Sequence, residues 1–113
     1  SGYKTIILLS LHEIKNRGDV DDFHINWDIK NGFSKKEEFW ETHISQRTIN
    51  FSVSIIYPKD RKPYRVRVEE SNRRRTHELT KDNSIILPDG RLKVTWEKKS
   101  PRLFENYLVK WRW

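Results

Sequence analysis

Gly90-Arg91-Leu92-Lys93-Val94-Thr95-Trp96 and, after a break of ten residues, Tyr107-Leu108-Val109-Lys110-Trp111-Arg112-Trp113 decide the fold class. Leu92, Val94 and Trp96 fall on every second residue, and so do Tyr107, Val109, Trp111 and Trp113. A period of two is how a strand sends one row of side chains into a core and the other into water. Trp gives up more apolar area than any other residue when it is covered. Three of the five Trp lie on these two stretches, so a core must exist to receive them. The remaining segments are then read as its walls.

Working outward, Ile85, Ile86 and Leu87 make a short strand, and Pro88-Asp89-Gly90 a tight turn back. Residues 72–75 (Asn-Arg-Arg-Arg) form a hairpin tip leading into residues 77–80. Tyr64, Val66 and Val68 alternate with Arg65 and Arg67. Ile49, Phe51, Val53, Ile55 and Tyr57 alternate with Asn50, Ser52 and Ser54. Residues 58–63 form a loop whose ends are fixed by prolines. Phe23, Ile25, Trp27 and Ile29 alternate in the same way, and residues 5–11 are apolar on both faces, as in a strand covered on both sides. Ser34-Lys35-Lys36-Glu37 has the form of a helix N-cap with Glu at the third helical position. It predicts one short helix near 34–40, with an irregular loop as the alternative. The sum is about eight short strands with turn signals every 8–12 residues, the spacing of an all-β antiparallel β-sandwich of jelly-roll type.

At 113 residues one domain, 1–113, is expected. Ser1-Gly2 has the form of a residue pair left by tag removal, which fits a domain cut from a longer protein. The chain has no Cys, hence no disulfide scaffold and no thiolate metal site. That points towards a reducing compartment, and a cytoplasmic location is the expectation. No apolar run approaches the roughly 18 residues of a membrane span.

Catalytic signatures are missing from the sequence. GxSxG, GxxxxGK[ST] and GxGxxG do not occur, and a Cys nucleophile is impossible. Glu37, Glu38, Glu41, Glu69 and Glu70 sit in charged stretches where nothing marks a desolvated acid or base. His12, His24, His43 and His77 share no ligand spacing. Asp19, Asp21 and Asp22 form an acidic turn that lacks the EF-hand pattern and reads as solvated. The expectation is a non-enzymatic chain without cofactor or metal.

Charge is the strongest functional signal. The net charge is +7, and residues 59–102 alone carry fourteen Lys and Arg against seven Asp and Glu. Lys59, Arg61 and Lys62 share one loop, Arg73, Arg74 and Arg75 another, and Arg65 and Arg67 the outward face of the strand between them. If both loops flank that strand, one continuous anion-binding patch results. Arg suits phosphate and carboxylate because its planar fork bonds bidentately. The competing reading is a solubilising surface, with Glu69, Glu70, Glu78 and Asp82 near enough to pair. The expected partners are an acidic protein surface or anionic lipid headgroups. Nucleic acid is the lesser option, because the aromatics share the apolar parity and offer no stacking platform among the Arg residues. An assembly role through an exposed strand edge is the structural alternative.

The order of motifs resembles a GOLD domain, the β-sandwich of early-secretory cargo receptors and some lipid-transfer proteins. Residues 25–29 resemble its early V-x-Y-x-I strand. Trp40 and Phe51 stand at the spacing of its Trp and of the Phe in its [DE]-[IV]-x-F-x-[VI] strand. Gly90, Leu92, Val94, Trp96, Glu97 and Ser100 follow its closing signature. Thr48 replaces the usual acidic residue, Lys98 the Asn, and Thr42 the aromatic two residues after Trp40. The resemblance covers roughly residues 23–113. It implies a non-enzymatic adaptor in protein transport that recruits proteins or touches lipid, with no active site to carry over.

Overall fold

The structure, a computed structural model, describes residues 4–14, 20–30 and 37–113; for Lys4, Ile14 and residues 20–30 it describes the backbone only. Its strands are β1 (Lys4–Ile14), β2 (Val20–Lys30), β3 (Glu37–His43), β4 (Thr48–Tyr57), β5 (Arg65–Glu70), β6 (Arg75–Leu79), β7 (Ser84–Ile86), β8 (Leu92–Lys99) and β9 (Asn106–Arg112). A single 3₁₀ turn, Lys81–Asn83, leads into β7, capped by the Thr80 side chain. One sheet has the order β2-β1-β4-β8-β7 and the other β3-β9-β5-β6. Every pairing is antiparallel. The chain crosses between the sheets after β2, β3, β4, β6 and β8.

The two closing strands do what their alternation dictates. In β9, Tyr107, Val109 and Trp111 are buried while Leu108 and Lys110 are only partly covered. From the facing sheet, Phe51 stacks on Tyr107 with ring centroids 5.1 Å apart. Tyr57 meets Trp111 edge-on at 5.6 Å. Ile7, Leu9, Val53, Ile55, Val66, Val68 and Val94 complete the layer between the sheets. Each such side chain contributes about 1.5–3 kcal/mol by leaving water.

The sequence reading needs correction at three places. First, the helix expected near 34–40 is absent over its described part, because residues 37–40 belong to β3. Glu38 lies opposite Trp111 and Trp40 opposite Val109. A seven-residue ladder outweighs a capping box worth about 1 kcal/mol; residues 34–36 lie outside the described residues. With this strand the described residues hold nine, close to the eight or so expected. Second, Ile49 is exposed although parity puts it with Phe51. The β1–β4 register jumps from His12↔Asn50 to Glu13↔Thr48, which leaves Ile49 as the extra residue of a bulge. The bulge turns Thr48 inward and Ile49 outward. Third, Tyr64 stands exposed just before β5 and contributes nothing to the core. The turn at residue 90 needs its glycine: φ is +92° there, a conformation that strains other residues.

Candidate anion-binding surface

Strand directions decide where the basic residues go. Residues 58–64 precede β5 and residues 71–74 follow it, so Lys59, Arg61 and Lys62 stand at one end of the sandwich and Arg73, Arg74 and Arg75 at the other. Six residues of strand separate them, about 20 Å at about 3.3 Å per residue. The expected link, Arg65 and Arg67, does lie on the outward face, but both guanidinium groups have protein partners. Arg65 is paired with Glu78, its Nε donating at 3.1 Å. Arg67 donates from Nη2 to Glu37 Oε1 at 3.2 Å and lies 3.8 Å from Glu69. Glu37 also accepts from Arg112 Nε at 3.0 Å, and Glu69 meets Lys110 Nζ at 3.1 Å. The outer face of the β3-β9-β5-β6 sheet is therefore a lattice of alternating charges. Partial burial acts to raise the Glu37 carboxyl, but Arg67 and Arg112 together hold it below the usual carboxylate range. The hydrogen bond from Arg65 does the same for Glu78.

Charges at the end bearing Lys59, Arg61 and Lys62 are also mixed. Asp60, Asp82 and Asp89 stand there, and Asp89 is paired with Arg91 at 2.7 Å. The Arg61 guanidinium lies over the Trp113 ring, 4.5 Å from its centroid, and the Lys59 stem packs against Gly90.

The opposite end is different. Three loops meet there: residues 44–47, 71–74 and 100–105. Ile44 N donates to Glu105 O at 3.0 Å, Phe104 N to Ile44 O at 2.7 Å, and Ser71 N to Asn106 O at 3.0 Å. These bonds gather Arg47, Arg73, Arg74 and Arg102 with Arg75 and Lys99 at the adjoining strand ends, all six exposed. Among the described residues none of the six makes an ion pair within 4 Å. The one carboxylate in the three loops, Glu105, is 0% exposed. Its Oε2 accepts from the backbone N–H of Asn72 at 2.9 Å and of Asn106 at 3.2 Å. Glu105 thus ties two loops together from beneath instead of neutralising their surface.

A second buried carboxylate lies under this end. Glu70, 1% exposed, faces the core side of β5. His77 Nε2 stands 3.0 Å from its Oε2 and Lys98 Nζ 3.7 Å from its Oε1. Trp96 lies against the His77 ring at 5.5 Å. Burial acts to raise the Glu70 pKa, but the hydrogen bond from His77 and the charges of Lys98, His77 and Arg73 prevail and lower it below 4.5. A depressed folded-state pKa stabilises above the unfolded value and is lost as pH falls through the folded one. Glu70→Gln should therefore cost about 2 kcal/mol at pH 7. In melts from pH 7 to pH 3, the gap to the parent should hold down to about pH 4.5 and shrink below it. A constant gap across that range would contradict this ion-pair account.

Sequence reasoning found Arg73, Arg74 and Arg75 and missed Arg47, Lys99 and Arg102. Arg47 stands alone in its segment, Lys99 and Arg102 flank the turn that follows β8, and nothing short of the strand directions brings them to the turn of Arg73 and Arg74. Of the residues weighed as metal ligands, Asp19 and the side chains of Asp21, Asp22 and His24 lie outside the described ones. Among the described residues, no three His, Asp or Glu gather into a metal site, and no helix is long and apolar enough to cross a membrane. A separate cleft of about 540 Å³ opens between the edges β6 and β7, lined by Tyr64, Val66, Leu79, Ile85, Ile86 and Leu92. No protein-family model, curated protein or solved structure matches the chain.

Proposed function

We propose that this β-sandwich is a non-enzymatic binding module that engages an anionic partner, an acidic protein or phosphorylated lipid headgroups, through its loop end. One observation carries the reading: six exposed Arg and Lys converge from three loops and two strand ends, while two carboxylates of this end, Glu70 and Glu105, are buried and engaged from within. Like charges held together without partners cost free energy in the free protein, and an anionic ligand offsets that cost. The site is Arg47, Arg73, Arg74, Arg75, Lys99 and Arg102. Lys59, Arg61 and Lys62 lie outside it, and Arg65 and Arg67 serve the sheet. The resemblance to GOLD domains, which recruit proteins or touch lipid, points the same way. The test is binding to phosphoinositide vesicles and to an acidic peptide at low salt, before and after changing Arg73, Arg74 and Arg75 together to Glu.

A second reading has its own support. β7 is a three-residue edge strand with Ile85 and Ile86 exposed beside the apolar cleft. Exposed edges accept partner strands, and the apolar lining would give such a partner area to bury. Sedimentation separates the two: an oligomer that persists at high salt supports edge assembly, and a monomer at every concentration and salt rules out self-assembly.

A further inference from the structure

Leu103 and Phe104 are exposed at the same end as the six cations, Leu103 by 38% and Phe104 by 60%. Two consecutive large apolar side chains facing water from a loop are uncommon, because either could be polar without harm to the core. Phe104 is also held in place. Phe104 has φ +67°, in the left-handed region that a bulky residue enters at a cost. Its N–H donates to Ile44 O at 2.7 Å, and its carbonyl accepts from Asn72 Nδ2 at 3.0 Å. Its ring stacks on His43 at 6.3 Å. The Asn72 bond couples this loop directly to the turn that carries Arg73 and Arg74. Arg102 precedes the pair in sequence.

We propose that Leu103 and Phe104 insert into the surface of an anionic bilayer while Arg73, Arg74, Arg75 and Arg102 lie in its headgroup layer. The inference rests on the anion-binding reading above and chooses a membrane over an acidic protein. Charge complementarity to anionic headgroups comes from the cations, and the depth order supplies the rest. A bilayer offers phosphate and carboxylate first and hydrocarbon just beneath, and an apolar tip ringed by cations matches both layers at once. An acidic protein surface offers the charge without the hydrocarbon beneath it. Ile85 and Ile86, another adjacent exposed pair, stand among mixed charges, with Asp82 and Asp89 near them as well as Lys81 and Lys93.

Co-sedimentation with phosphatidylcholine vesicles, with and without phosphatidylserine, tests this against soluble poly-glutamate as the purely ionic probe. The intact chain should bind the anionic vesicles and bypass the neutral ones. Leu103→Ser with Phe104→Gly should weaken vesicle binding about thirtyfold or more and leave poly-glutamate binding within about twofold. Glycine tolerates φ +67°, so this variant should melt no lower than the parent. Phe104→Trp should keep vesicle binding. If the Ser/Gly variant binds anionic vesicles like the parent, or if the parent binds poly-glutamate but not vesicles, insertion is overturned and anion binding stands. If the parent binds neither probe, both readings fall.

Discussion

Changing Arg73, Arg74 and Arg75 together to Glu is expected to weaken binding to phosphoinositide vesicles and to an acidic peptide by at least about a hundredfold at low salt. Each Lys or Arg near an anionic surface contributes about 1 kcal/mol, and three of them correspond to about that factor. Reversal goes further than removal, since it sets three carboxylates against the ligand and takes the net charge from +7 to +1. The fold should survive. All three side chains are exposed and none is in an ion pair among the described residues. The loss should diminish with added salt, because exposed charges are screened beyond about 10 Å at 0.1 M. The control is the matching reversal of Lys59, Arg61 and Lys62, which lie about 20 Å away among aspartates and should matter much less. Unchanged binding after the first reversal would remove the loop end as the binding site. Equal losses from both reversals would mean that net charge, and not a site, governs binding.

Trp111→Ala is expected to destabilise the domain by about 3–5 kcal/mol, a large share of the 5–15 kcal/mol that holds a domain of this kind together. Trp111 is 1% exposed and is the largest fully buried side chain among the described residues. It meets Tyr57 edge-on from the facing sheet at 5.6 Å and Trp113 at 6.3 Å. Truncation leaves a cavity between two sheets whose backbones are fixed by their ladders and cannot collapse into it. Its neighbour Lys110 supplies the contrast. That side chain points outward to Glu69 across 3.1 Å, so Lys110→Ala should cost less than about 1 kcal/mol. Denaturant unfolding of both variants measures the difference. Equal midpoints would contradict the inward and outward parity of β9.

The alternating stretches were legible because their period is local. Tyr107, Val109 and Trp111 declare a face without reference to any other strand, and the buried face is the one they declare. Where a local signal competed with a non-local one, the non-local one prevailed. The capping pattern of residues 34–37 favoured a short helix through Trp40, and pairing with β9 made residues 37–40 part of a strand. Ile49 shows the same limit at a single residue, because a bulge depends on the register with β1, which no window of sequence contains.

The candidate site divides along the same line. The amino-acid sequence by itself determined the all-β class, most of the described core residues and the excess of positive charge in the second half. Composition and period-two alternation are properties of single segments, so they need no partner to be read. Only the tertiary structure decided which charges are available. It paired Arg65 with Glu78 and Arg67 with Glu37, placed Lys59, Arg61 and Lys62 at the far end, and brought Arg47, Lys99 and Arg102 to the turn of Arg73 and Arg74. The reason is physical: whether a cation is free depends on the carboxylate within 4 Å of it, and for Arg65, Arg67 and Lys110 a neighbour from another strand, set by order and register, supplies it.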